Sequence, residues 1–117
     1  MNKDEYKGRL AFCGWSSRDV LKAVQGLGIP CDEARLSHAI AGDRAPALDR
    51  IRQKADEVTM CAVREKKADV ERQIGAGLAC LGIPGRVSIR VPSENEIPVY
   101  LDGELFGLYD VRRNRLL

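Results

Sequence analysis

The hydrophobic period of this chain changes once, around Gly82-Ile83-Pro84-Gly85, and that change bounds what the chain can fold into. Before it, apolar residues recur at three and four. Leu48, Ile51, Ala55, Val58 and Ala62 form one run, and Val70, Ile74, Leu78 and Leu81 resume it after the charged stretch Arg64-Glu65-Lys66-Lys67. That spacing lines one face of a long helix or of two helices in series. Gly75 and Gly77 weaken the second half by up to about 1 kcal/mol each relative to alanine. After the change, Val87, Ile89 and Val91 alternate with Ser88 and Arg90, the two-residue period of a half-buried strand.

The rest of the tail continues in that mode. Pro92 to Glu96 reads as a polar turn, and Ile97 to Leu101 as a second strand whose Pro98 suits an edge or a strand start. Asp102-Gly103 predicts a two-residue hairpin turn with positive φ at both positions, with Glu104 to Tyr109 returning as the third strand. Val111 to Leu117 leaves room for a short fourth. A meander this small buries too little apolar surface to stand alone. The surplus helix, Lys67 to Leu81, is therefore expected either to pack on it or to pair with its copy in a dimer.

Upstream the punctuation is helical. Asp4 to Cys13 reads as a short helix carrying Tyr6, Leu10 and Phe12, stopped by Gly14. Ser16 or Ser17 caps a second helix bearing Val20, Leu21 and Val24, with Asp19 in its positive first turn. Gly28-Ile29-Pro30 breaks the chain, so the second helix either runs on to this point or gives way to a loop. Asp32 then caps a third helix, Glu33 to Ala41, with Leu36, Ala39 and Ile40 on one face and Ile29 expected to fold back against it. Gly42 past its end and Pro46 at the start of the next helix make a tight helical turn. The fold class is α+β: a helical head at residues 1–62, then a long helix and a small antiparallel β-meander at 63–117, the latter serving dimerisation or partner binding.

Within this frame, Leu36-Ser37-His38-Ala39-Ile40-Ala41-Gly42-Asp43-Arg44-Ala45-Pro46-Ala47-Leu48 resembles the end of the recognition helix and the following turn of phage-repressor-like helix-turn-helix proteins of the Cro/CI type. Gly14-Trp15-Ser16-Ser17-Arg18-Asp19-Val20-Leu21-Lys22-Ala23-Val24 is similar to the opening of that family's second helix. The resemblance covers Asp4 to Val58, about half the chain. It implies binding of double-stranded DNA as a homodimer. It puts Glu33, Ala34, Arg35 and His38 on the groove-facing side, with Ser37 among the DNA-binding positions, and Ser16, Ser17, Arg44 and Arg50 near phosphates. Of these, Arg35 is the expected base reader, because its fork can bond guanine O6 and N7 together, while Glu33 could accept from cytosine N4.

Composition narrows the alternatives. At 117 residues, 44% hydrophobic and 31% charged, the chain has room for one ordinary domain or two very small ones. Its net charge is only +2, so it is no strongly basic coat. From Arg35 to Lys54 the basic residues are Arg35, Arg44, Arg50, Arg52 and Lys54, against Asp43 and Asp49, a mildly basic face. The opening MNKDEYKGRL lacks the apolar core of a secretory leader and nothing reaches the length of a membrane span, so the expected location is cytoplasmic, with no membrane partner. Cys13, Cys31, Cys61 and Cys80 lack metal-site spacing, His38 has no second ligand nearby, and Cys61 and Cys80 are expected to be buried free thiols. No cofactor, metal or catalytic constellation is expected, and the chain is not expected to be an enzyme.

The leading expectation is a dimeric, sequence-specific transcriptional regulator of phage or mobile-element type. A second is a protein-binding inhibitor, similar in outline to phage-encoded inhibitors of CRISPR nucleases, in which the tail engages a host or bacterial defence protein through Tyr100, Phe106 and Tyr109, side chains whose other expected role is the sheet's own core. A third is an antitoxin, combining both activities.

Overall fold

The computed structural model describes residues 1–90, 96–110, 113 and 115–116. Among these described residues four helices, α1 (Lys3–Cys13), α2 (Ser17–Gly26), α3 (Glu33–Ala41) and α4 (Pro46–Cys80), precede four strands, β1 (Val87–Ile89), β2 (Glu96–Leu101), β3 (Glu104–Asp110) and β4 (Arg115–Leu116). The strands form one antiparallel sheet in the order β1-β2-β3-β4. This is the α+β arrangement that the change of period predicts.

The helix ends follow from their punctuation. Ser16, not Ser17, caps α2 in a reciprocal box. The Asp19 N–H donates to Ser16 Oγ at 3.4 Å, and the Ser16 N–H donates to the Asp19 carboxylate at 2.7 Å. Asp32 caps α3, accepting from the Arg35 N–H at 2.8 Å. Gly42 ends α3 at φ +100°, where a side chain would be strained. Pro46 opens α4, its missing N–H falling where no helical bond is lost. At the hairpin, Asp102 and Gly103 take φ of 52° and 85°, the two positive values that the turn demands.

Between α2 and α3 the chain makes a loop of residues 27–32. Ile29 and Cys31 turn inward from it and are buried with Tyr6, Val20, Leu21, Val24, Leu36, Ala39, Ile51 and Ala55. This cluster is the core of the head. A second cluster holds the tail: Val70, Ile74 and Leu78 of α4 cover Val87, Ile89, Ile97, Val99 and Tyr109 on one face of the sheet. Of the two roles open to Lys67 to Leu81, packing on the sheet is the one observed. Phe12 of α1 also belongs to this second cluster, so the first helix reaches across the division near residue 62.

The helix α4 is continuous over 35 residues. Its buried positions are Ile51, Ala55, Thr59, Val63, Val70, Ile74 and Leu78, which displaces the expected Val58 and Ala62 from the centre of the stripe by one residue. Thr59 can be buried because its hydroxyl is satisfied, donating to the Ala55 carbonyl at 2.7 Å and accepting from the Arg9 guanidinium at 3.2 Å. Cys61 and Cys80 correct the expectation of buried thiols. Each sits two residues, about 200° of helix, beyond a buried position and is exposed. Cys31 is the buried one, its thiol pushed up by that burial. Among the described residues no helix is long and apolar enough to cross a membrane. Residues 91–95, where the sequence predicts the end of the first strand and a polar turn, lie outside the described residues, as do Val111, Arg112, Asn114 and Leu117 of the expected final turn.

Candidate nucleic-acid interface

Three helices of the head enclose a cleft of about 600 Å³. Its floor is apolar, built from Tyr6 and Leu10 of α1 and Leu36 and Ile40 of α3. The walls are polar: Lys3 and Lys7 from α1, Ser16, Ser17 and Arg18 from the start of α2, and Glu33 and Ser37 from α3. Four of the residues expected to meet DNA, Ser16, Ser17, Glu33 and Ser37, are thus brought together on one side of the head.

Helical geometry decides how α3 presents the others. At about 100° per residue, Glu33 and Ser37 share the flank beside the cleft, while Ala34 and His38 point away from the buried Leu36 and Ala39. Arg35 lies about 200° round from Glu33, on the opposite flank. All five are exposed. The Arg35 guanidinium has no ion pair or hydrogen bond among the described residues, and neither has that of Arg50.

Several site residues already hold partners within the chain. Besides capping α2, Ser16 donates through its hydroxyl to Asp19 at 3.1 Å, and these bonds from Ser16 keep the Asp19 carboxyl below the usual carboxylate range. Ser17 Oγ accepts from the Tyr6 hydroxyl at 3.2 Å, tying α2 to α1, and retains its own proton to donate outward. Arg18 lies 3.9 Å from Glu33, and both side chains are largely exposed. Such a pair is worth little in water, so either member can be drawn to a better partner.

At the far end of α3 the chain forms a charged network. His38 Nδ1 is 2.7 Å from the Asp43 carboxylate. Arg52, on the first turns of α4, donates through Nε to the Ala39 carbonyl at 2.7 Å and through Nη2 to the Asp43 carbonyl at 2.5 Å. Through Nη1 it also reaches Asp49 at 2.6 Å. Its side chain is only 16% exposed. Asp49 takes a second guanidinium, Arg44 at 3.3 Å, and is held below its ordinary value, first by the Arg52 hydrogen bond and also by that of Arg44. The network joins His38 to Arg44 and fixes the turn between α3 and α4.

Sequence reasoning did not place Lys3, Lys7 or Arg18 at this site. For the two lysines a signal existed: a spacing of four on a helix stacks them on one face. Arg52 gave none, because a basic residue that caps a neighbouring helix and one that faces solvent look alike in sequence.

In the tail, the expected partner surface divides. Tyr109 points inward and is buried against α4, its hydroxyl pushed up by burial and by Asp110, so that of its two expected roles, partner face or sheet core, it is placed in the core. Its register partner Ile97 is buried on the same side. Tyr100 and Phe106 lie on the opposite face, where the Arg90 guanidinium stacks 5.1 Å from the Tyr100 ring centre. No group of three or more His, Cys, Asp or Glu side chains among the described residues is arranged to hold a metal ion. Compared with protein-family models, with curated proteins and with solved structures, the chain finds no match in any of the three.

Proposed function

We propose that the head binds double-stranded DNA, with α3 in the major groove and the starts of α1 and α2 on the flanking phosphates, and that the protein is a sequence-specific transcriptional regulator. The observation that carries this reading is the convergence of Lys3, Lys7, Arg18 and Ser17 with the exposed Glu33 and Ser37 flank of α3 on one side of the head. Phosphates need cations and hydroxyl donors at the edges of a docking surface, and base edges need a helix whose side chains do not hold it away. Ala34, Ser37 and His38 leave that helix slim, and Glu33 can accept from cytosine N4 once Arg18 leaves it for a phosphate. Arg35, on the flank of α3 away from the cleft, and Arg50, exposed on α4, make no ion pair or hydrogen bond among the described residues and are free to meet a groove wall or a phosphate.

The loop at 27–32 is longer than a tight helix-turn-helix turn, but Ile29 and Cys31 anchor it in the core, so α2 and α3 are held by packing rather than by the turn. A second reading, an inhibitor that engages a bacterial defence protein, draws on the exposed Phe106 and Leu105 of the tail.

The test is the salt dependence of duplex binding. Each neutralised phosphate contributes a slope of about −0.9 to log affinity against log salt. Lys7→Ala, at an exposed position, should reduce the slope by about that amount while leaving the preferred sequence unchanged. An unaltered slope would remove α1 from the interface, and affinity too weak to measure in low salt would remove the reading itself.

A further inference from the structure

The cap that ends α3 brings an imidazole and a carboxylate together. Gly42, at φ +100°, turns the chain back, so that its own N–H donates to the Ala39 carbonyl at 3.2 Å and the Asp43 N–H donates to the His38 carbonyl at 3.1 Å. These two bonds define a glycine cap in which the second residue past the helix lies beside the residue five positions before it. In such caps the side-chain contact between those two is commonly apolar. Here it is polar, with His38 Nδ1 2.7 Å from an Asp43 carboxylate oxygen. Arg52 holds Asp43 from the other side, donating through Nη2 to its carbonyl at 2.5 Å. The carboxylate is therefore presented to His38 from a backbone bonded at both its N–H and its carbonyl.

Both side chains are largely exposed, and such a pair contributes little to stability in water. What it decides is which ring nitrogen carries the proton. An ionised carboxylate can only accept a hydrogen bond, so the nitrogen facing it must donate. In the neutral ring the proton then sits on Nδ1, and Nε2 keeps its lone pair. Nε2 makes no hydrogen bond among the described residues, and the His38 side chain is 64% exposed, on the part of α3 turned away from the buried Leu36 and Ala39.

We infer that Asp43 makes His38 a hydrogen-bond acceptor toward the major groove, and that at the position His38 meets the protein selects adenine or cytosine, the bases whose groove edge offers an amine. Guanine presents N7 and O6 there and thymine O4, so against either of them two lone pairs would face each other. A histidine without the carboxylate can carry its proton on either nitrogen, and would donate to guanine as well. Asp43 is thus a positioning residue, acting on the base through His38. The choice of base rests on the reading of the head as a DNA reader; the place of the proton does not.

The experiment uses the full chain, wild type, Asp43→Ala and His38→Ala, and has two arms. His38 is the only histidine in the sequence, so NMR of nitrogen-labelled protein reads its two ring nitrogens without ambiguity. At a pH of about 8, where an imidazole is neutral, the wild type should carry the proton on Nδ1, and Asp43→Ala should show the two forms in exchange. In site selection from a random duplex pool, His38→Ala identifies the position at which preference disappears. There the wild type should favour adenine or cytosine about tenfold over guanine or thymine. Asp43→Ala should admit guanine at that position and leave the rest of the motif unchanged. A wild-type proton on Nε2 would overturn the inference whatever the protein binds. A proton on Nδ1, with a motif that both variants leave unaltered, would overturn the choice of base and leave the DNA reading standing. A folded wild type that enriches no motif would overturn the reading of the head, and the choice of base with it.

Discussion

Arg52 shows how a single side chain decides what a charge count means. In sequence it belongs with Arg35, Arg44, Arg50 and Lys54 as one of the cations that make the region mildly basic. Folded, its guanidinium is spent on the Ala39 and Asp43 carbonyls and on Asp49. It adds a second donor to the Ala39 carbonyl, which already accepts from the Gly42 N–H, and bonds the Asp43 carbonyl in the turn beyond α3, and it is unavailable to phosphate. Ser16 and Ser17 are likewise half-claimed, one by the capping box and one by Tyr6. Asp49 gives this network a pH signature. Because its folded pKa is depressed, its contribution to stability is complete above the unfolded value of about 3.9 and is lost as pH falls through the lower folded value. Asp49→Asn should lower the melting temperature at neutral pH and flatten its decline below about pH 4. Superimposable pH profiles for the two proteins would show that Asp49 does nothing for the folded state.

At the scale of elements, what the sequence displayed was punctuation and period. Ser16, Asp32, Gly42, Pro46 and Asp102-Gly103 each act locally, through one or two dihedral angles or one capping bond, and each sits where its chemistry placed it. Burial along α4 was less legible, because it depends on what lies opposite. Thr59 is polar yet enclosed, since Arg9 and the Ala55 carbonyl satisfy it, while Cys61 is apolar yet exposed. The cleft was legible only in part: the α3 residues announced themselves by resemblance, whereas Lys3 and Lys7 become part of the site only once α1 is laid across α3. Gly42 offers the sharpest test here. At φ +100° a β-branched residue is strained, so Gly42→Val should destabilise the head by at least about 1–2 kcal/mol, read as a lowered melting temperature. An unshifted midpoint would mean that α3 does not end in a left-handed cap.

Taken whole, the molecule measures 53 × 23 × 23 Å, and α4 runs through both of its hydrophobic clusters. A helix of 35 residues spans about 52 Å, so this one element sets the length of the protein. The head packs on its first half and the sheet on its second. A boundary near residue 62 therefore falls inside a rigid rod rather than in a linker, and Phe12 reaches past it into the sheet's core. The rod thus holds the helical head at one end and the four-stranded sheet at the other, and under the proposed function only the head's end meets DNA.

Whether α3 reads bases is decided by selection of binding sites from a random duplex pool at fixed moderate salt. It would use the full chain, Arg35→Ala, and the exposed pair Ser37→Ala/His38→Ala, each shown to be folded. The account predicts a short enriched motif for the wild type, relaxed at one or two positions in the Ser37/His38 variant by the roughly 1–3 kcal/mol of a lost base contact. It predicts a smaller change, at the edge of the motif, for Arg35→Ala. A folded wild type that enriches no motif, or variants that enrich the same one unaltered, would contradict the assignment of α3 as the reader.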